Sequence, residues 1–84
     1  MKRTVTSSRA DVVVETGTIR FLDFEGGFYG IVGDDGRHYD PVNLDPLFRV
    51  DDLRVRFALS VIQDRFSIHM WGTVVSIVSM QKLA

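Results

Sequence analysis

The sequence predicts an all-β fold, a single small barrel of five strands with a short helical turn between strands three and four. Two observations support this prediction. Apolar and polar residues alternate at a spacing of two through much of the chain, and clusters of glycine and aspartate interrupt the alternation. With 84 residues and 45% hydrophobic side chains, the chain is long enough for one folded domain but not for two.

The first predicted strand covers residues 11–24 and is rich in β-branched side chains. Gly17 lies in its middle, and a glycine inside a strand is typical of a bulge or of a sharp bend at a barrel corner. Residues 1–10 are polar, so we expect a flexible N-terminal segment there, followed by one β-barrel domain over residues 11–84.

Strands two and three are predicted at residues 28–33 and 37–40. Between them, Asp35-Gly36 favours a two-residue type I′ turn, because that turn needs a positive φ at both positions. The surrounding run E-G-G-F-Y-G-I-V-G-D-D-G-R-H-Y-D-P lacks both the lysine of a phosphate loop and the ligand spacing of a calcium loop. Its glycines and aspartates are therefore interpreted as turn-forming residues.

After the hairpin, Asp45 followed by Pro46 predicts the start of a helix of one or two turns, since aspartate is a favoured cap and proline a favoured first residue. We expect Leu44, Leu47 and Phe48 to close the open end of the barrel from this segment.

Strand four, at residues 53–61, shows the clearest alternation, because every second residue is apolar: Leu53, Val55, Phe57, Leu59 and Val61. Strand five is predicted at about residues 68–80, and both of its faces carry apolar residues. This pattern fits a strand covered on both sides, or one with a bulge near Gly72.

This order of elements resembles the OB-fold, a five-stranded Greek-key barrel. The resemblance covers about residues 12–83 and rests on the strand order, on Gly17 and on the turn at Asp45. An SH3-like barrel is the alternative. The stretches E-G-G-F-Y-G-I-V-G-D-D-G and S-I-H-M-W-G-T also resemble those of small uncharacterised prokaryotic proteins of OB type, and this likeness implies no activity.

Catalytic and metal-dependent functions find little support in the sequence. The chain has no cysteine, so disulfides and thiolate metal sites are excluded. No nucleophile-elbow motif is present, and the paired aspartates are adjacent in sequence and suit solvated turns. The only two histidines, His38 and His69, are too far apart in sequence to indicate a metal site with Asp40 or Asp64. We therefore expect no enzyme, no cofactor and no metal site.

The net charge of −1 conceals an uneven distribution. Residues 21–52 carry eight acidic residues against two arginines, hence −6, and the segments at both ends of the chain are basic. No apolar run is long enough for a membrane span, and no signal peptide is evident in the chain as given. We expect a soluble cytoplasmic protein, although the sequence leaves the export of a longer precursor open.

The strongest functional prediction is a non-catalytic binding or interaction module for a protein, a peptide or a small molecule. It rests on a group of residue types enriched at binding sites, namely Tyr29, His38, Tyr39, His69 and Trp71. Three phenylalanines, Phe21, Phe28 and Phe57, are interpreted as barrel-filling residues instead. The sequence does not identify the ligand or partner, and it does not distinguish a monomer from a homo-oligomer.

The alternative is a protein that binds single-stranded nucleic acid, as OB-folds often do. Tyrosine rings would stack on bases, and Arg20, Arg54 and Arg56 would contact the phosphates. The acidic residues of 21–52 disfavour this alternative, because they repel a phosphate backbone. We interpret the three arginines as partners of neighbouring aspartates in cross-strand ion pairs.

Overall fold

The computed structural model describes residues 12–63 and 69–83, and across these residues five strands form a closed barrel with the order β1-β2-β3-β5-β4. The strands are β1 (Val12–Leu22), β2 (Phe28–Gly33), β3 (His38–Pro41), β4 (Arg54–Val61) and β5 (Thr73–Lys82). Adjacent strands are antiparallel, except that β3 and β5 are parallel. The predicted all-β barrel is confirmed, whereas the N-terminal segment 1–10 lies outside the described residues. No helix in the described part of the chain is long and apolar enough to cross a membrane.

The barrel interior is filled by every second residue of each strand. The register aligns Ile19 of β1 with Ile31 of β2, and both side chains are fully buried. β4 contributes Val55, Phe57 and Leu59, three of the positions that the alternation predicted to be internal. The core of the barrel is one cluster of eight buried side chains, composed of Ile19, Ile31, Tyr39, Leu44, Val55, Phe57, Leu59 and Val75.

At Gly17, strand β1 pairs with β2 and with β4 at the same time. Gly17 lies opposite Gly33 in β2 and opposite Val55 in β4. A Cβ at this position would lie 2.5 Å from the carbonyl oxygen of Val32 and 3.0 Å from a ring carbon of Phe57. The close approach of the strands therefore requires glycine here, as expected for a crowded position in a small barrel.

β5 begins at Thr73, later than the predicted start near residue 68, because residues 69–72 form a turn and bends. The adjacent residues Val74 and Val75 are both buried, so both faces of the strand are covered at this point, as predicted. The irregularity of the β4–β5 pairing lies between Ala58 and Leu59, away from Gly72, where the alternative interpretation placed a bulge.

The turn between β2 and β3 differs from the expected two-residue turn at Asp35-Gly36, and that prediction is wrong. The Gly36 amide donates to the Gly33 carbonyl at 2.9 Å, and the Gly33 amide donates to the Arg37 carbonyl at 2.8 Å. Within the turn only Gly36 has a positive φ, of 91°. These features define a three-residue loop with a glycine bulge. A hydrogen bond of 3.0 Å from the Arg37 amide to Oδ1 of Asp35 stabilises it.

The predicted helical turn is a single 3-10 turn at Pro46–Phe48, and Oδ1 of Asp45 accepts a hydrogen bond from the Leu47 amide at 2.9 Å. Leu44 is buried and Phe48 packs partly against the core, so both help to close the barrel as predicted. The same prediction is wrong for Leu47, whose side chain is 80% exposed. A turn of three residues is too short to direct all of its apolar side chains inward.

Candidate functional site: an aromatic cleft at the barrel mouth

The segment just before β5 lies against the outer surface of β2 and β3. The ring of His69 stacks on Phe28 with a centroid distance of 3.6 Å and an interplanar angle of 5°. Trp71 stacks on His38 at 4.4 Å and 10°. Side chains three residues apart on a strand point to opposite faces, so Phe28 faces outward while Ile31 faces the core. Phe28 is nevertheless only 9% exposed. This segment therefore covers the outer face of the β2–β3 pair with aromatic rings.

Gly30 provides the space in which the indole of Trp71 lies. A Cβ added to Gly30 would overlap the six-membered ring of Trp71, with Cη2 only 2.6 Å away. A side chain at this position would therefore displace the indole from the surface of β2. The glycine in the predicted second strand thus has a packing role in addition to its place in the β2 ladder.

A partly buried hydrogen bond connects His69 to β3. Asp40 is 6% exposed, and its Oδ2 lies 2.7 Å from Nδ1 of His69. A carboxylate is an acceptor, so the ring donates its Nδ1 proton to Asp40. This contact sets the orientation in which the imidazole stacks on Phe28, and it joins the segment before β5 to the short strand β3.

A cleft of about 350 Å³ opens beside this pair at the mouth of the barrel. Ligand pockets in proteins range from about 300 to 1,000 Å³, so the volume suits a small molecule or a peptide side chain. Its lining comes from β1, β2, β3, the segment after β3 and the segment before β5. The side chains with the most distinctive chemistry in this lining are Phe21, Phe28, Tyr29, Asp40, Arg49 and His69.

The aromatic rings in and beside the cleft pack against each other, and part of their surface remains accessible to solvent. Phe21 and Tyr29 pair across β1 and β2 with centroids 5.2 Å apart. Phe24 meets Phe28 edge-on at 5.3 Å and 85°. Phe21 is nevertheless 43% exposed and Phe24 is 45% exposed. Rings that are both packed and exposed lose little conformational entropy when they bind a ligand.

Arg49 supplies the cationic group of the cleft. Its Nε and Nη2 donate to the carbonyl oxygen of Leu44 at 3.1 and 2.9 Å. Both residues belong to the segment between β3 and β4, so these two bonds stabilise the conformation of that segment. The guanidinium therefore has a structural role, while the lining as a whole combines one carboxylate, one guanidinium and one imidazole with apolar rings.

The five residues predicted to bind a ligand are placed in three environments. Tyr29 and His69 line the cleft. His38 and Trp71 form the neighbouring stack on the outer face of the barrel. Tyr39 lies in the core and is 3% exposed, because it alternates with outward-facing His38 along β3. We therefore leave Tyr39 out of the candidate site.

Three cleft residues were not among the residues that the sequence singled out for binding. Phe21 was interpreted as a barrel-filling residue, but it is 43% exposed at the barrel mouth. Phe28 is buried beneath His69 outside the barrel, whereas Phe57 fills the interior as expected. Asp40 follows His38 at a spacing of two, which is the signal that both share the outward face of β3.

The arginines proposed for the nucleic-acid alternative are mostly engaged in ion pairs. Two Nη atoms of Arg54 contact the carboxylate of Asp34 at 2.6 and 2.9 Å. Arg20 contacts the two aspartates of the loop before β4 at 3.2 and 3.0 Å. Arg56 makes no ion pair with any residue that the structure describes. The interpretation of these arginines as ion-pair partners therefore holds for two of the three.

A second polar group lies inside the barrel, around Glu15. Burial is the main cause that raises the pKa of Glu15, and the carboxylates of Asp35 and Asp34 raise it further. Burial also raises the pKa of Tyr39, with a smaller effect from Glu15. Within the described chain, Oε2 of Glu15 and the hydroxyl of Tyr39 are buried without a hydrogen-bond partner. The polar groups of this region affect the stability of the barrel and do not line the cleft.

No group of three or more histidine, aspartate or glutamate side chains in the ranges 12–63 and 69–83 is arranged to hold a metal ion. The sequence matches no protein-family model. No curated protein shows significant similarity to it.

Proposed function

We propose that this protein is a non-catalytic binding module of OB type and that the cleft between Phe21 and His69 binds its ligand, a protein, a peptide or a small molecule. The observation that carries this proposal is the cleft itself. It has partly exposed aromatic walls, and one of them is fixed by the partly buried His69–Asp40 hydrogen bond. Pre-formed apolar clefts with a few placed polar groups are typical of binding sites.

The OB assignment is supported by the closed five-stranded order and by the 3-10 turn between β3 and β4. The returning strand β5 lies between β3 and β4, and its parallel pairing with β3 closes the barrel. The mouth of such a barrel is a common location for a ligand site.

A non-catalytic role is favoured by the composition of the lining. A histidine oriented by a carboxylate also occurs in hydrolytic sites, where it activates a serine or cysteine nucleophile. Among the described residues that line the cleft there is no serine, threonine, cysteine or lysine. The His69–Asp40 pair therefore serves to hold the wall of the cleft in place.

The alternative, binding of single-stranded nucleic acid, is supported by the exposed rings at the barrel mouth, which offer stacking surfaces. It is disfavoured by the engagement of Arg20 and Arg54 with aspartates, because paired guanidinium groups attract phosphate less strongly.

The test is a screen of fragment and peptide libraries against the 84-residue protein, followed by affinity measurements on three variants. We expect Phe21→Ala and His69→Ala to weaken binding of the hits about tenfold or more, as loss of a central contact does. Val78→Ala, at a 65% exposed position of β5, is the control and should change nothing. Micromolar binding of labelled oligothymidylate that weakens steeply with salt would instead favour the alternative.

A further inference from the structure

Building on the proposed function, we propose that the ligand of the cleft is a basic segment of another polypeptide. An apolar side chain of this segment enters the cleft between Phe21 and His69. A lysine or arginine beside it meets the carboxylates of Asp23 and Glu25. Three features support this proposal: the charge around the cleft, its exposed apolar rim and the geometry of the loop between β1 and β2.

The loop between β1 and β2 presents two carboxylates beside the cleft. Asp23 and Glu25 are exposed and form no ion pair with the residues that the structure describes. The same loop brings Gly27 into the cleft lining. Its backbone is tightly turned, with a φ of 51° at Glu25 and of 85° at Gly26, and the Gly27 amide donates to the Phe24 carbonyl at 2.9 Å. The two charges therefore lie on a hydrogen-bonded turn.

Two arginines of the described residues flank the cleft, since Arg20 precedes the cleft residue Phe21 and Arg49 lines the cleft itself. Arg20 contacts Asp51 and Asp52, which leaves that group of three charges negative overall. Arg49 donates two hydrogen bonds to the neutral carbonyl of Leu44 and keeps its charge. Among the described residues around the cleft, acidic side chains outnumber these two arginines, namely Asp23, Glu25, Asp40, Asp51 and Asp52. This excess of negative charge attracts a cationic partner and repels a polyanion.

The apolar surface extends past the cleft itself. Phe24 is 45% exposed, and Met70, which follows the cleft residue His69, is 91% exposed. A molecule that only fills about 350 Å³ would leave these side chains in water. A peptide can place one side chain in the cleft and cover the surrounding rim with its other residues. Protein interfaces commonly combine a central buried anchor with such a rim.

The geometry also suits the cationic group. Lysine and arginine are attracted to the faces of aromatic rings, and the ring of Phe24 lies on the same loop as the two carboxylates. A basic residue beside the apolar anchor can contact both a ring and a carboxylate. An acidic or phosphate-bearing ligand would lose this contact and meet like charges instead.

The experiment is a selection of twelve-residue peptides from a phage-displayed library on the full chain, followed by affinity measurements with the selected peptides in synthetic form. The variant pair Asp23→Asn/Glu25→Gln raises the net charge by two. The pair Ser79→Lys/Gln81→Lys raises it by the same amount at exposed positions of β5, so it serves as the control. Circular dichroism confirms that both variants are folded.

We expect selected peptides in which lysine or arginine stands next to an aromatic or aliphatic residue. Their affinity should fall about tenfold in Asp23→Asn/Glu25→Gln, as loss of two complementary charges predicts, and should stay within about twofold in the control. Peptides without a basic bias that still need Phe21 would overturn this inference and leave the binding module standing. Absence of peptide binding, with oligothymidylate binding that tightens in Asp23→Asn/Glu25→Gln, would overturn both.

Discussion

Nδ1 of His69 lies 2.7 Å from Oδ2 of Asp40, and this contact joins the segment before β5 to β3. Both side chains are largely withdrawn from solvent, with 21% of the His69 side chain and 9% of the Asp40 side chain exposed. The hydrogen bond determines where the imidazole lies on Phe28, and so it determines one wall of the cleft. The proposed function depends on this wall more than on any other single contact.

Removal of the imidazole should destabilise the protein as well as the cleft. His69→Ala deprives a buried carboxylate of a hydrogen bond, which costs about 1–3 kcal/mol of unfolding free energy. Urea denaturation measures the change. His38→Ala is the matched control, because the exposed His38 stacks on Trp71 but makes no hydrogen bond to another described side chain. An equal loss in the two variants would show that the Asp40 contact contributes nothing.

The space left by Gly30 can be tested through Trp71, the single tryptophan of the chain. Gly30→Ala places a methyl group against the indole, which overpacks the site at a cost of about 1–3 kcal/mol and forces the ring outward. We expect a red shift of the fluorescence emission and stronger quenching by acrylamide. An unchanged emission spectrum would mean that Trp71 does not lie on Gly30 in solution.

Glu15 should make the protein less stable as the pH rises. Its pKa is raised above the ordinary value of 4.5, chiefly by burial, so the folded state favours the protonated carboxyl. The stability linked to this proton is fully present below pH 4.5 and is lost as the pH rises through the raised pKa. Glu15→Gln, which resembles the protonated form, should therefore raise the Tm at pH 7 and leave it nearly unchanged at pH 4. A lower Tm at pH 7 would contradict this sign.

Asp34, in contrast, should make the protein less stable as the pH falls. The hydrogen bonds from Arg54 and then from Thr16 hold the pKa of Asp34 well below its ordinary value of 3.8. The stability from this carboxylate is present above pH 3.8 and is lost as the pH falls toward the lowered pKa. Asp34→Asn should thus lower the Tm at pH 7, with a difference from the parent protein that shrinks in acid. A difference that does not depend on pH would show that the ion pair is not its cause.

The strand pattern was readable from the sequence because barrel interiors impose a spacing of two. Val55, Phe57 and Leu59 alternate with polar residues and are all buried. The turn at Asp45 could be predicted because a capping aspartate followed by proline starts a helical turn through local interactions. Features with a local or periodic cause, such as these, could be predicted without the structure.

The cleft could not be predicted because its parts come together only through long-range packing. Phe21 and His69 are far apart in the chain, and the exposure of Phe21 depends on its place at the end of the barrel. The burial of Tyr39 and the exposure of His38 were both decided by the phase of β3, a strand of four residues. So short a strand gives too few alternations to fix which face points inward.

The most direct test of the account is a titration of ¹⁵N-labelled protein with a selected peptide, followed by amide chemical shifts. Binding at the cleft predicts the largest changes at Gly27, Tyr29, Val42 and His69, with little change along β5 beyond Val78. Changes confined to the outer face of β4 and β5, with none at Tyr29 or His69, would contradict the assignment of the cleft as the binding site.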